Sequence, residues 1–201
     1  MDNLLQGMMG NFSDKIIEKV ATEAGVDPKM ATMVLEKMAP AMAGSMGKQA
    51  QTQEGAAVLD KVLSKHDGSV FGNMDQMSGG DLQQDGAKIL GHVFGSKTSE
   101  VEKVLEQETG ASKASTTKMM ETFAPMILGS LGQQKSESGL DIGALAGMLG
   151  DLSSDSKDGS QSMIMGLLDL DNDGKVIDDI PKLLGYLKIA QKFLGLGGRK
   201  G

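Results

Sequence analysis

Met38-Ala-Pro-Ala-Met-Ala-Gly-Ser-Met-Gly47 and Phe123-Ala-Pro-Met-Ile-Leu-Gly-Ser-Leu-Gly132 are one phrase written twice, 85 residues apart. Ala-Pro, Gly-Ser and the closing glycine are identical, and the positions between them exchange one apolar side chain for another. The register extends outward without a gap. Glu23 falls on Glu108, Gly25 on Gly110, Glu36 on Glu121 and Gln49 on Gln134, with Ile16 against Val101 and Val20 against Leu105. So many identities in one order point to a duplicated unit, and self-similarity at a fixed spacing sets the architecture before any local reading does.

Each copy reads as a helix, a short turn and a longer helix. In the second copy, Thr98-Ser99 stand before Glu100 and Glu102, which predicts an N-cap followed by an acidic first turn. Val101, Val104 and Leu105 then keep the spacing of one buried helix face. Gly25 and Gly110 stand where a helix ends in a left-handed residue, and Asp27-Pro28 supplies an N-cap with proline at the first helical position. The longer helices carry Val34, Leu35, Met38, Ala41, Met42 and Met46 in one copy, and Met119, Met120, Phe123, Met126, Ile127 and Leu131 in the other. Pro40 and Pro125 interrupt these patterns and predict a bend or break, because proline removes a backbone donor. The small residues that follow each proline let another helix approach closely. As a phosphate cradle, Gly-Ser-x-Gly lacks both a preceding strand and a following Lys-Thr or Lys-Ser.

Short amphipathic helices are expected over 56–64, 82–94 and 140–149, with polar spacers at 48–54, 65–80 and 133–139. The Ser, Asp and Gly run over 151–160 reads as a hinge or linker. No alternating β-branched run is present. The expected fold is all-α and multihelical, a tandem repeat of helix–turn–helix units with an EF-hand-like loop and helix at the C-terminus. Repeat one covers 1–70, repeat two covers 71–155, and the helix–acidic loop–helix segment covers 156–201.

Composition narrows the function. Aromatics make up 3% of the 201 residues, so the 16 methionines must do packing that larger rings do elsewhere. A Met-lined groove for a partner helix is the sharper alternative to this core-filling role. The net charge of −7 argues against general affinity for nucleic acid or anionic lipid. The chain has no cysteine, which excludes disulfides, thiolate metal sites and cysteine nucleophiles. No signal peptide and no membrane span is legible, so the cytoplasm is the expected location.

Gly91-His-Val-Phe-Gly95, the helix–Gly–helix unit after it, the 123–132 phrase, and the Leu168-Asp-Leu-Asp-Asn-Asp-Gly174 tail with its later Asp178-Asp179 together resemble the bacterial family of unknown function called DUF937, which includes the YidB-like proteins. The resemblance implies an all-α fold. It brings no established activity and no catalytic residues.

The most chemically loaded stretch is Asp169-Leu-Asp-Asn-Asp-Gly-Lys-Val-Ile-Asp-Asp-Ile180. A calcium loop of the EF-hand kind draws oxygens from positions 1, 3, 5, 7 and 12, with glycine at 6 for the sharp turn. Asp169, Asp171 and Asp173 occupy the first three ligand positions, Gly174 is placed for the turn, and Lys175 offers its backbone carbonyl. Position 12 departs from the pattern, being Ile180, so Asp178, Asp179 or water must stand in. Helical patterns flank the loop, and the later one carries Ile180, Leu183, Leu184, Leu187, Ala190 and Leu194. A lone loop of this kind is expected to be a structural Ca²⁺ clip, not a sensor. The alternative is an acidic turn at a helix N-terminus without metal.

No catalytic motif is present. The two histidines, His66 and His92, have no acid at a recognisable spacing and read as structural or solvated. The expected function is therefore a non-enzymatic helical interaction or scaffold protein that self-associates through its Met-rich and small-residue faces. The alternative is a nucleic-acid-binding protein using a helix-turn-helix-like repeat, for which 113–118 offers only two lysines.

Overall fold

The computed structural model describes residues 7, 9–73 and 79–154. These residues are helical throughout, without a strand among them. The helices are α1 (Asp14–Ala24), α2 (Pro28–Gln49), α3 (Gln53–Leu63), α4 (Ser69–Asn73), α5 (Gly79–Val93), α6 (Thr98–Thr109), α7 (Lys113–Ser138) and α8 (Ile142–Ser154), with a 3₁₀ turn at Gly95–Lys97 before α6. Residues 7, 9 and 10 are helical as well.

The local signals set the helix ends as expected. Gly25 and Gly110 take φ of 69° and 73°, and their amides close the ends of α1 and α6 on carbonyls one turn back. That left-handed geometry costs glycine little, because it has no Cβ to strike the following carbonyl. The next helices open on matched caps: Asp27 Oδ1 accepts from the Lys29 amide at 2.8 Å, and Ser112 Oγ accepts from the Ser115 amide at 3.2 Å. One expected cap is different. Thr98 lies inside α6, and its hydroxyl donates back to the Gly95 carbonyl at 2.8 Å, tying the helix to the 3₁₀ turn.

Both prolines lie within unbroken helices, α2 running through Pro40 and α7 through Pro125. All-round burial is the reason. Every residue from Met38 to Gly47 and from Thr122 to Gly132 is buried, so neighbouring helices hold each segment from all sides. The expected one-sided stripe describes only the N-terminal half of each helix. Alanine, glycine and serine on the remaining faces let the neighbours close in. α2 is surrounded by α1, α6, α7 and α8, with α8 packed most extensively; α7 is surrounded by α1 to α6, with α5 packed most extensively.

One continuous core joins residues from Phe12 to Leu149. Methionine fills it as composition suggested: Met38, Met42, Met119, Met120 and Met126 are fully buried. Phe123 anchors the aromatic part, its ring 6.0 Å from Phe12, which in turn meets Phe71 edge-on at 5.5 Å. The expected 133–139 spacer is the last stretch of α7, which ends at Gly139 in the left-handed conformation, and α8 extends to Ser154 into the expected linker.

Candidate functional site

The repeated Gly-Ser-x-Gly segments lie in mid-helix, so their backbone amides serve the helix ladder and not an anion. Their side chains have a different use. Ser45 is fully buried, and its hydroxyl donates to the Val93 carbonyl at 2.6 Å. One turn on, Gln49 Nε2 donates to the same carbonyl at 2.9 Å and to that of His92 at 3.3 Å. These carbonyls are the last of α5, where a helix has no intrahelical donors left to offer. A serine and a glutamine four residues apart on α2 therefore form a receptor for the end of another helix.

The corresponding serine and glutamine at 130 and 134 also meet polar or backbone neighbours. Ser130, also fully buried, accepts from Asn11 Nδ2 at 2.8 Å, and a Cβ on Gly7 would come 2.6 Å from Gln134 Nε2. Gly7 stands to Gln134 as His92 stands to Gln49 in the 85-residue register. Sequence reasoning read these residues as packing alone. The Gln49–Gln134 identity was the signal for more, since an amide has no use on a purely apolar face.

The glycines of α5 and α7 set how closely the helices meet. A Cβ on Gly86 would fall 1.7 Å from the Glu121 carbonyl oxygen, the acceptor that Pro125 cannot serve because it has no N–H. The Gly86 Cα thus lies against that carbonyl, in the manner of a weak Cα–H···O contact. Gly132 does the same at the end of α3, where a Cβ would fall 1.9 Å from the His66 carbonyl oxygen.

His66 has an acid partner that the sequence spacing hid. Its Nε2 lies 3.1 Å from Asp85 Oδ2, and its Nδ1 lies 2.9 Å from the Val62 carbonyl, so the ring joins the end of α3 to α5. The pair is structural in placement, between helices. Beside it, Asp67 is held below the usual carboxylate range by the Ser69 hydroxyl and amide, the amide lying 3.0 Å away.

A second acidic group lies between α6 and α7. Glu102 is buried, accepts from the Thr117 hydroxyl, and has Lys113 Nζ at 3.9 Å. Burial raises the Glu121 carboxyl above its ordinary range, and the charge of Glu102 adds to this. The Thr116 hydroxyl, also buried, has no partner among the described residues.

Among the described residues no three His, Cys, Asp or Glu side chains are grouped so as to hold a metal ion. The predicted ligands Asp169, Asp171, Asp173, Lys175, Asp178 and Asp179, with the helices expected around them, lie outside the described residues. The segments richest in methionine and small residues, Met38–Gly47 and Phe123–Gly132, are buried in the chain's own core, while Met33 and Met148 are exposed. Among the described residues no helix is long and apolar enough to cross a membrane.

Together these features define a class: a multihelical protein whose buried polar side chains join one helix to another. A family model described as bacterial protein of unknown function (DUF937) matches residues 6–134. The chain belongs to that family. The match ends on Gln134, the counterpart of Gln49, and the acidic loop lies beyond it. No curated protein and no solved structure matches the chain.

Proposed function

We propose that this chain is a non-enzymatic helical interaction protein, built by tandem duplication, that self-associates and carries a single structural calcium loop. The duplication is supported by the matched left-handed glycines, the matched caps at Asp27 and Ser112, and the matched serine–glutamine pairs.

One observation carries the interaction reading. At the α1–α2 corner, Met33 is 38% exposed, and Val26 and Met30 are only partly buried. Their counterparts at the α6–α7 corner are Lys118, Ala111 and Ser115. Val26 and Met30 pack partly against the core, but the skeleton carries lysine in place of Met33, so the exposed methionine is not demanded by folding. Exposed apolar side chains grouped on a rigid helical corner suit burial against a second copy.

The test uses the full chain in size-exclusion chromatography with light scattering. The wild type is expected to exceed monomer mass as concentration rises, and Met33→Lys, which copies the second corner, is expected to stay monomeric. A wild type that stays strictly monomeric at high concentration overturns the reading. For the loop, Asp169, Asp171 and Asp173 supply the early ligands, and the Lys175 carbonyl with Asp178 or Asp179 completes the set. Calorimetric titration of Ca²⁺ into chelator-treated protein is expected to give heat in the wild type and none in a chain carrying both Asp171→Ala and Asp173→Ala. Silence in both ends the calcium assignment.

A further inference from the structure

α8 is unlike the other long helices of the fold. Leu145, Ala146 and Leu149 are buried, while Gly143, Ala144, Gly147 and Met148 face outward, and no charged residue occurs between Asp141 and Asp151. The exposed faces of α1, α3, α5 and α6 all carry lysines and acids. α3 packs beside α8 and adds Val58, which is 57% exposed. An uncharged outer face over 142–149 calls for a cover.

We infer that this cover is the chain's own C-terminal segment, 180–194, laid back along the outer face of α8. Three observations select it over other occupants. The first is its pattern: Ile180, Leu183, Leu184, Leu187, Ala190 and Leu194, which follow the acidic loop, fall on one face if the segment is helical and make an apolar stripe. At 1.5 Å per residue that stripe spans roughly 22 Å against roughly 20 Å for α8, so the two match in length.

The second is charge. Residues 181–201 hold Lys182, Lys188, Lys192, Arg199 and Lys200 and no acid. The chain as a whole carries −7, so the first 180 residues carry −12. A basic, apolar segment is drawn to an acidic body, and the uncharged face lies between Asp141 and Asp151. The third is reach. Fourteen residues, 155–168, separate Ser154 from the acidic loop, enough to extend on the order of 45 Å, about twice the length of α8. The segment can therefore return over α8 with slack, and the tether favours docking within the chain over docking between chains by keeping the local concentration high.

The absence of native cysteine makes the test direct. Met148→Cys with Leu187→Cys places two thiols in the full chain, and mild oxidation or a short bis-maleimide is expected to join them within one chain, at a yield unchanged by dilution. Met33→Cys with Leu187→Cys is the control and is expected to link at least five-fold less. Reversing Lys182, Lys188 and Lys192 to glutamate should lower the first yield several-fold. A second readout needs no linkage: an environment-sensitive dye on Met148→Cys alone should shift to the red in the same charge-reversed chain. Linkage only between chains would assign the face to a second copy and overturn the inference. So would equal linkage at both positions, or none together with an unmoved dye. Absence of linkage with co-sedimentation of the chain on phosphatidylserine vesicles would assign the basic segment to lipid and equally overturn it.

Discussion

The two helix pairs, α1–α2 and α6–α7, share a skeleton and differ in what they bury. Gly25 and Gly110, Asp27 and Ser112, Pro40 and Pro125, Ser45 and Ser130 occupy equivalent places. Elsewhere the first pair is apolar where the second is polar. Ile17 and Ala31 are buried in the first, and their counterparts Glu102 and Thr116 are buried in the second. Glu102 keeps its partners in Thr117 and Lys113, whereas the Thr116 hydroxyl has none among the described residues. At the corners the same contrast reaches the surface, with Met33 exposed in the first pair and Lys118 in the second. The matched positions hold the geometry that the two pairs share, and the unmatched ones differ in charge and exposure.

Substitutions can break or sharpen this contrast. The largest effect is expected at position 123, the counterpart of Met38. Phe123→Ala removes a fully buried ring that touches Phe12, and should cost about 3–5 kcal/mol in urea unfolding. Phe123→Met, which imports the first pair's residue, should cost under about 1.5 kcal/mol because volume is nearly kept. Equal losses for the two would show that position 123 does not share the role of 38.

Next comes the close approach of α5 to α7. Gly86→Ala drives a Cβ into the Glu121 carbonyl and should destabilise by about 1–3 kcal/mol despite alanine's better helix propensity. Gly91→Ala on the same helix, with nothing within 4 Å of its Cβ, should stabilise by about 0.5–1 kcal/mol. A Gly86→Ala chain as stable as the wild type would remove the contact from the account.

Thr116→Ala makes the second pair resemble the first. It deletes a buried hydroxyl without a partner and should be neutral or stabilise by up to about 1 kcal/mol, since no hydrogen bond is lost. A loss above that would reveal a partner for the hydroxyl. The smallest effect concerns pH. Glu121 holds its proton more tightly when folded, so stability should fall as pH rises from its ordinary value of 4.5 through the raised folded value. Glu121→Gln should flatten that part of the stability profile, and an unchanged slope would place its source elsewhere.

Sequence alone determined the all-helical character, the left-handed ends at Gly25 and Gly110, the cap at Asp27, the methionine core and the family, because these depend on composition or on residues a few positions apart. The cap at Ser112, and the helices α4 and late α7 within expected spacers, came from the structure. The acidic loop, too, is a matter of local spacing, and its reading still stands on sequence. Tertiary structure decided the rest. That α2 and α7 run unbroken through proline follows from burial on every side, which a one-dimensional pattern does not encode. That Ser45 and Gln49 seat the end of α5, that His66 meets Asp85, and that Gly86 lies against the Glu121 carbonyl are facts of helices brought together from distant positions in the chain. Each such contact depends on backbone placement to within an ångström, and only the packed fold supplies it.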